Sequence, residues 1–287
     1  MMAKFLRSLV LGAKRRWWKG IVSAFSVAGA IWTFTQFVTG LFEATKPILE
    51  ANNTYYLIAV SVCGLVALLW YVYEPSSVKF TIPTTQTTVV IEYGDIFDEE
   101  HANILFAVNE FFDHDLGQVI APNSIHGQFI QKFYSSDNQR FRKEVDAALA
   151  GFTGEVVKRS FPPVTKFPIG TTILLHIGSR KAFLFALTKT DLETHKATTT
   201  VPLLWDGLRG AWQAVHNAGN GDTLTLPLIG NGRASLNLKP QHILRLLVLS
   251  LADFSRQKNI TNNIKIVVPL ACFEELDLRE IARDWSA

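Results

Sequence analysis

Acidic residues are missing from the first 19 positions of this 287-residue chain, which instead hold Lys4, Arg7, Lys14, Arg15, Arg16 and Lys19. Charge of either sign, and histidine with it, is then absent from Gly20 to Phe42 (GIVSAFSVAGAIWTFTQFVTGLF). Cysteine is scarce. Cys63 lies inside an apolar run and Cys272 near the C-terminus, which excludes a disulfide framework and points to a reduced, cytosol-facing protein. The formal net charge of +3 is a property of the N-terminus alone: six of the 28 Lys and Arg residues lie there, leaving 22 against 25 Asp and Glu. That balance is a poor electrostatic footprint for nucleic acid. Several catalytic and binding patterns are missing too. The chain has no Lys-Ser/Thr phosphate loop, no Gly-x-Gly-x-x-Gly, no His-x-x-x-His or Cys-His spacing and no Gly-x-Ser-x-Gly elbow. Neither a metal site nor a nucleophile is expected from it.

What is present in the first quarter fits a bilayer. At 1.5 Å rise per residue, Gly20 to Phe42 reaches roughly 34 Å as a helix, enough to cross a membrane. Tyr55 to Tyr73 (YYLIAVSVCGLVALLWYVY) is a second uncharged run, about 28 Å as a helix, near the lower limit for spanning. Its ends carry Tyr55, Tyr56, Trp70, Tyr71 and Tyr73, amphipathic rings that favour the headgroup level. Buried core helices are usually shorter and rarely come as two charge-free runs separated only by EATKPILEANNT. A cleaved signal peptide is the competing reading, because Ala28-Gly29-Ala30 resembles a cleavage site; the unbroken run to Phe42 and the long leading tail oppose it. The inter-span loop sets Lys46 against Glu43 and Glu50, so the positive-inside rule places both termini in the cytoplasm. Trp17 and Trp18 then form an interfacial anchor, and Ala28, Gly29, Ala30, Gly64 and Ala67 permit close helix association. The expected organisation is a basic cytoplasmic tail (1–19), a two-span hairpin (20–73), a linker with the first strands (74–88) and a ligand-binding domain (89–287).

Beyond Glu74-Pro75-Ser76-Ser77, strand-like and helix-like segments alternate. Val78 to Ile82, Thr87 to Ile91 and Ala102 to Val108 read as strands, and Ser124 caps a short helix to Tyr134. Asp137 to Ala150 has helical periodicity. Thr171 to Leu175 and Ala182 to Leu187 bracket a hairpin turning at Gly178-Ser179. Helices follow at Thr200 to Asn217, from Pro240, and at Leu276 to Trp285, with apolar strands at Thr223 to Leu228 and Ile264 to Val268. Continuous apolar strands among helices predict an α/β sandwich whose sheet is buried on both faces, with ligands at the carboxyl ends of strands.

Three strand ends carry candidate chemistry. In LPLIGNGRASL, Gly230, Asn231 and Gly232 can expose backbone N–H groups to a phosphate, with Arg233 beside them; a tight turn needing positive φ explains the same glycines. In EYGDIF, the Asp95 carboxylate can accept from a base amino group while Ile96 and Phe97 pack on its ring, or it can simply cap a Gly-Asp turn. Asn109 can bind a ribose hydroxyl or form a turn. Asp113-His114-Asp115 reads as a solvated turn without a metal partner, and His126 either contacts a ligand or stays at the surface.

The order of these features resembles the macro domain, an ADP-ribose-binding fold, over roughly Val89 to Trp285, about two thirds of the chain. The resemblance implies a mixed-sheet α/β three-layer sandwich. It implies that Asp95 bonds the adenine amino group beside Ile96, and that Asn109 contacts the distal ribose region. Ser124, Ile125, His126, Gly127 and Gln128 would form the first loop, and Gly230, Asn231, Gly232 and Arg233 the second, holding pyrophosphate and ribose. Hydrolases of that family follow Val-Asn with Ala-Ala-Asn and carry a glycine-rich first loop. Here the residues are Glu110-Phe111-Phe112 and APNSIHGQF, so binding is expected and hydrolysis is not.

Two spans ahead of a macro domain is an arrangement similar to the membrane-anchored effectors of type II Thoeris anti-phage defence. In that family a TIR-domain partner consumes NAD and releases an ADP-ribose-derived signal, a histidine conjugate, and the macro domain binds it. The resemblance implies a ligand-sensing, homo-oligomeric effector in the bacterial inner membrane, with no cofactor, no catalytic residue and no nucleic-acid partner. A membrane-tethered ADP-ribosyl hydrolase and a passive anchor with a vestigial pocket are the other readings of the same residues.

Overall fold

The computed structural model describes residues 2–98, 101–117, 119–159, 162–192, 196–232 and 236–285. It divides into two compact units, Met1–Ser76 and Ser77–Ala287.

The first unit is helical. Helix α1 (Met2–Leu41) takes in the basic segment as well as the first apolar run and breaks helical geometry at Arg16 (φ −137°, ψ 19°). A short α2 (Lys46–Ala51), with Pro47 in its first turn, leads to α3 (Asn53–Val72). Ser8–Leu41 and Asn53–Val72 are each long and apolar enough to cross a bilayer, with mean hydropathies of 1.5 and 2.0. Their large side chains face outward: Phe25 is 75% exposed and Trp70 80%, the reverse of a helix that fills a water-soluble core. Gly64 lets α3 approach α1 so closely that a Cβ there would stand 3.4 Å from the Ala24 carbonyl oxygen. At the other end, Ser8 Oγ donates to the Glu74 carbonyl at 2.5 Å and accepts from the Glu74 N–H at 2.9 Å. The buried Glu74 carboxylate lies 3.8 Å from the Arg15 guanidinium and 3.4 Å from that of Arg16. A buried carboxylate is tolerated only when paired, so the basic segment has a structural duty besides its topological one.

The second unit begins with strand β1 (Ser77–Thr81), which pairs antiparallel with β2 (Thr88–Tyr93). Both strands of that hairpin therefore belong to the sheet. Then come β3 (Asn103–Asn109), α4 (Ile125–Tyr134) and α5 (Asn138–Leu149), capped by the side chains of Ser124 and Asp137. A two-residue ribbon, β4 (Glu155–Val156) with β5 (Thr165–Lys166), precedes the hairpin β6 (Thr172–Ile177) and β7 (Arg180–Thr190), to which β8 (Ala197–Thr198) is appended. The chain closes through α6 (Val201–Ala218), β9 (Leu224–Pro227), α7 (Pro240–Gln257), β10 (Asn263–Val268) and α8 (Leu278–Trp285).

The main sheet runs β1-β2-β10-β9-β3-β7-β6. Its five inner strands are parallel, and the outer pairs β1/β2 and β6/β7 are antiparallel. Period-two alternation sorts the two faces. Leu105, Phe183 and Phe185 face the core built with Leu208, Trp212, Leu247 and Ile281 from α6, α7 and α8. Ile104, Phe106 and Leu184 face the core built with Phe129, Ile130, Phe141 and Val145 from α4 and α5. This is the three-layer sandwich with a mixed sheet expected from the sequence. Burial on both faces explains why the central strands read as unbroken apolar runs.

Trp212 is fully buried and donates its indole N–H to Ser250 Oγ at 2.9 Å, joining α6 to α7. Trp212→Ala should lose about 3–5 kcal/mol of stability. Urea unfolding of the detergent-solubilised chain, followed by circular dichroism, checks this; an unchanged midpoint would contradict the packing described.

Candidate ligand-binding site

The parallel strands bring their carboxyl ends to one edge of the sheet, and that edge parts in the middle. Strand β3 pairs with β9 only at Asn103 and Ile104, whereas its pairing with β7 continues to Asn109. Strand β9 meanwhile stays bonded to β10 as far as Pro227. The chain leaves β3 toward β7 and leaves β9 toward β10, so the parting is a topological switch point, the place where open α/β sheets take ligands.

On one flank of the crevice the loops after β2, β9 and β10 are knitted together. Gly94 N–H donates to the Val268 carbonyl at 3.1 Å, and Leu228 N–H to that of Val267 at 3.2 Å. Gly230 has φ +94°, a left-handed conformation that suits glycine, and its carbonyl accepts from Leu236 N–H at 3.2 Å. Asn231 Nδ2 lies 3.3 Å from the buried Cys272 thiol, whose pKa is raised by burial. Gly232 is exposed, and among the described residues nothing lies within 4 Å of where its Cβ would be. Arg233 lies outside the described residues. Asp95 is exposed, and its Oδ1 accepts from Phe97 N–H at 2.9 Å, capping a 3-10 turn over Ile96–Asp98. Ile96 and Phe97 are the residues expected to pack on a base ring. They are 2% and 4% exposed and belong to the α4/α5 core, because the turn after Asp95 folds them inward.

The other flank is the segment from Asn109 into α4. Asn109 is half-buried and bonded internally: Nδ2 donates to Asp113 Oδ2 at 2.6 Å, and Oδ1 accepts from the N–H groups of Phe111 (3.2 Å) and Asp113 (3.3 Å). Asp113-His114-Asp115 is not a solvated turn, since Asp113 is 1% and His114 5% exposed. Asp113 forms a two-pronged ion pair with Arg159, at 2.7 and 2.8 Å, a pairing that no local pattern signals. Ser124 is the α4 cap, accepting from Gly127 N–H at 3.0 Å and donating to the Ala121 carbonyl at 2.7 Å. A Cβ on Gly127 would collide with that same carbonyl oxygen, so this glycine serves helix docking. Ile125 packs on the α4/α5 core, and Gln128 Nε2 donates to the Asn123 carbonyl at 3.1 Å.

His126 is half-buried and held in place by aromatic neighbours. Its ring centroid lies 6.0 Å from that of Phe106 and 5.5 Å from that of Phe141, and its Nε2 is buried. Burial pushes its pKa down to about 3, with His114 adding a smaller push in the same direction. His114 is itself lowered, chiefly by burial. A cleft of about 470 Å³ also opens beside the end of β3, between Glu110, Lys166, Phe167 and Lys189. None of the sequence-predicted site residues lines it.

Comparison with known proteins decides the family. Residues 89–269 match the family model described as Thoeris protein ThsA, macro domain. The chain belongs to this ThsA family. No curated protein matches it. Among solved structures, a variant of the Oceanobacillus iheyensis macrodomain with ADPR is 15% identical, with TM-score 0.51 over 72% of this chain and 97% of that one. The macrodomain of the same organism with ADP is 14% identical, with TM-score 0.49 over 72% of this chain and 95% of that one. Thermosipho africanus DarTG in complex with ADP-ribose is 13% identical, with TM-score 0.44 over 76% of this chain and 49% of that one. The first of these establishes macro-type architecture for the ThsA-family domain; the identities are too low to carry residue roles.

The two lowered histidines set a pH dependence. Their folded-state pKa values lie below 6.5, so the unfolded chain takes up protons first and stability is lost as pH falls below about 6.5. For His126 the loss continues to about pH 3, at up to ~1.4 kcal/mol per pH unit. His126→Leu should flatten urea midpoints between pH 6.5 and 4; superimposable profiles for variant and wild type would contradict the burial of a neutral imidazole.

Proposed function

We propose that this protein is a membrane effector of bacterial anti-phage defence whose macro domain senses an ADP-ribose-derived signal made by a TIR-domain partner. Histidine-ADP-ribose is the form of that signal implied by the resemblance. One observation carries the reading: the ThsA-family domain is joined in a single chain to two helices of bilayer length whose large apolar side chains face outward. In this reading Ser8–Leu41 and Asn53–Val72 span the inner membrane, both termini are cytoplasmic, and signal binding drives homo-oligomeric assembly and membrane disruption. Binding does this only if the signal prefers one of two states, and the segment around Glu74 connects the two units.

The crevice supports the ligand class. From the end of β2, across β10 and β9, to the end of β3 is three strand spacings, about 14 Å. Such a span suits a molecule with a recognisable group at each end better than a single base. Asp95 has one carboxylate oxygen beyond its turn bond and receives the adenine amino group. The Gly230–Gly232 backbone, with Arg233, holds the diphosphate without a metal. The Oceanobacillus iheyensis macrodomain variant solved with ADPR makes an adenine-diphosphate ligand the natural first probe. Sensing is favoured over hydrolysis because the three residues after Asn109 are committed elsewhere: Phe111 and Phe112 are buried, and Glu110 Oε1 accepts from Thr190 N–H at 3.0 Å.

Titration calorimetry on the detergent-solubilised chain should give saturable binding of ADP-ribose or its histidine conjugate, with the ligand recovered intact. Asp95→Asn, which keeps a turn-capping oxygen but removes the charge, should weaken either ligand about tenfold, the worth of one charge-assisted hydrogen bond. Binding of neither ligand would sink the sensor reading, and steady turnover would replace it with the hydrolase.

A further inference from the structure

Asn109 has little freedom left. Its carbonyl oxygen already accepts two backbone N–H groups and one amide hydrogen is given to Asp113, so a single N–H remains. The orientation is forced as well, because flipping the amide would set its NH₂ against two N–H donors. A carboxamide in this state meets a ligand only by donating to an acceptor.

Asp113 and Arg159 fix it there. The side chains are 2% and 0% exposed, the pair is two-pronged at 2.7 and 2.8 Å, and Arg159 Nη1 also donates to the Pro163 carbonyl at 3.0 Å. The guanidinium lies 4.1 Å from the Phe111 ring centroid, which clamps the turn from a second side. Between them the buried Phe112 sits at φ +52°, a strained conformation for an aromatic residue that persists only when its surroundings impose it. Buried ion pairs do little for net stability, whereas they do fix geometry, and what this one fixes is the end of β3.

We infer that Asp113, held by Arg159, is a positioning residue that orients the remaining N–H of Asn109 and restricts this corner of the crevice to a hydrogen-bond acceptor on the sugar beyond the diphosphate. The inference rests on the ADP-ribose reading above. ADP-ribose carries that sugar and ADP does not, which separates positioning from general structural support.

The test is calorimetry on the full chain in detergent with both probes. Asn109→Ala and Asp113→Asn should each weaken ADP-ribose about tenfold, one hydrogen bond's worth, and leave ADP unchanged. Asp113→Asn made on top of Asn109→Ala should cost no further affinity, since both act through one amide. Should Asp113→Asn fail to fold with Arg159 stranded, the double variant Asp113→Asn with Arg159→Gln removes both charges and carries the same expectation. Equal weakening of ADP and ADP-ribose, or losses that simply add, would overturn the positioning role. A wild-type chain that binds ADP but not ADP-ribose, or neither, would instead remove the underlying ligand reading, and this inference with it.

Discussion

Strand β3 leaves its pairing with β9 after Ile104 yet stays bonded to β7 as far as Asn109, and the layout of the candidate site follows from that parting. A strand can abandon one neighbour only if its faces hold it in place. Ile104, Leu105 and Phe106 are all fully buried, in alternation against the helices of the two outer layers. The apolar content of NILFAVN is therefore what allows a crevice to open at the sheet's carboxyl edge without loss of order. Asp95, the Gly230 turn and Asn109 stand along that edge because each lies at, or within three residues of, the end of a strand that stops there.

Polar groups beneath the crevice obey a second constraint. Buried charge and buried amide must be bonded, and here each bond tightens a loop that a ligand would touch. Asn109, Asp113 and Arg159 stiffen the flank that runs into α4, while Asn231 and Cys272 link the turns after β9 and β10. His126 follows the same logic by staying neutral among aromatic rings. Hydrogen-bonded loops of this kind hold their shape before any ligand arrives, which is what recognition requires.

Local pattern made most of the fold legible. The apolar runs, the cap at Ser124, the helical periodicity after Asp137, the Gly178 hairpin and Pro240 at a helix start all act within a few residues, and the structure places them as read. Long-range consequences were not legible. Nothing near Asp113 announces a partner 46 residues away at Arg159, so Asp113-His114-Asp115 looked solvated when it is buried. Ile96 and Phe97 follow a turn whose direction the sequence does not encode locally, and they enter the core. The glycine at 127, expected in a ligand loop, is also required by the Ala121 carbonyl, a need that local pattern does not signal. For the site as a whole, motif order located the strand ends; which side chains remain free to bind depended on the tertiary hydrogen bonds.

In the proposed reading the helical unit turns recognition into an effect on the membrane. Outward-facing Phe25 and Trp70 need a lipid or protein neighbour, and Glu74, held by Ser8, Arg15 and Arg16, stands three residues before Ser77, where the second unit begins. The most direct measurement is dye release from liposomes carrying the full chain as histidine-ADP-ribose or ADP-ribose is added. Release that rises with ligand, saturates and leaves the ligand chemically intact is the predicted result. Release independent of ligand, or no release while the ligand is consumed, would contradict the account of a ligand-gated membrane effector.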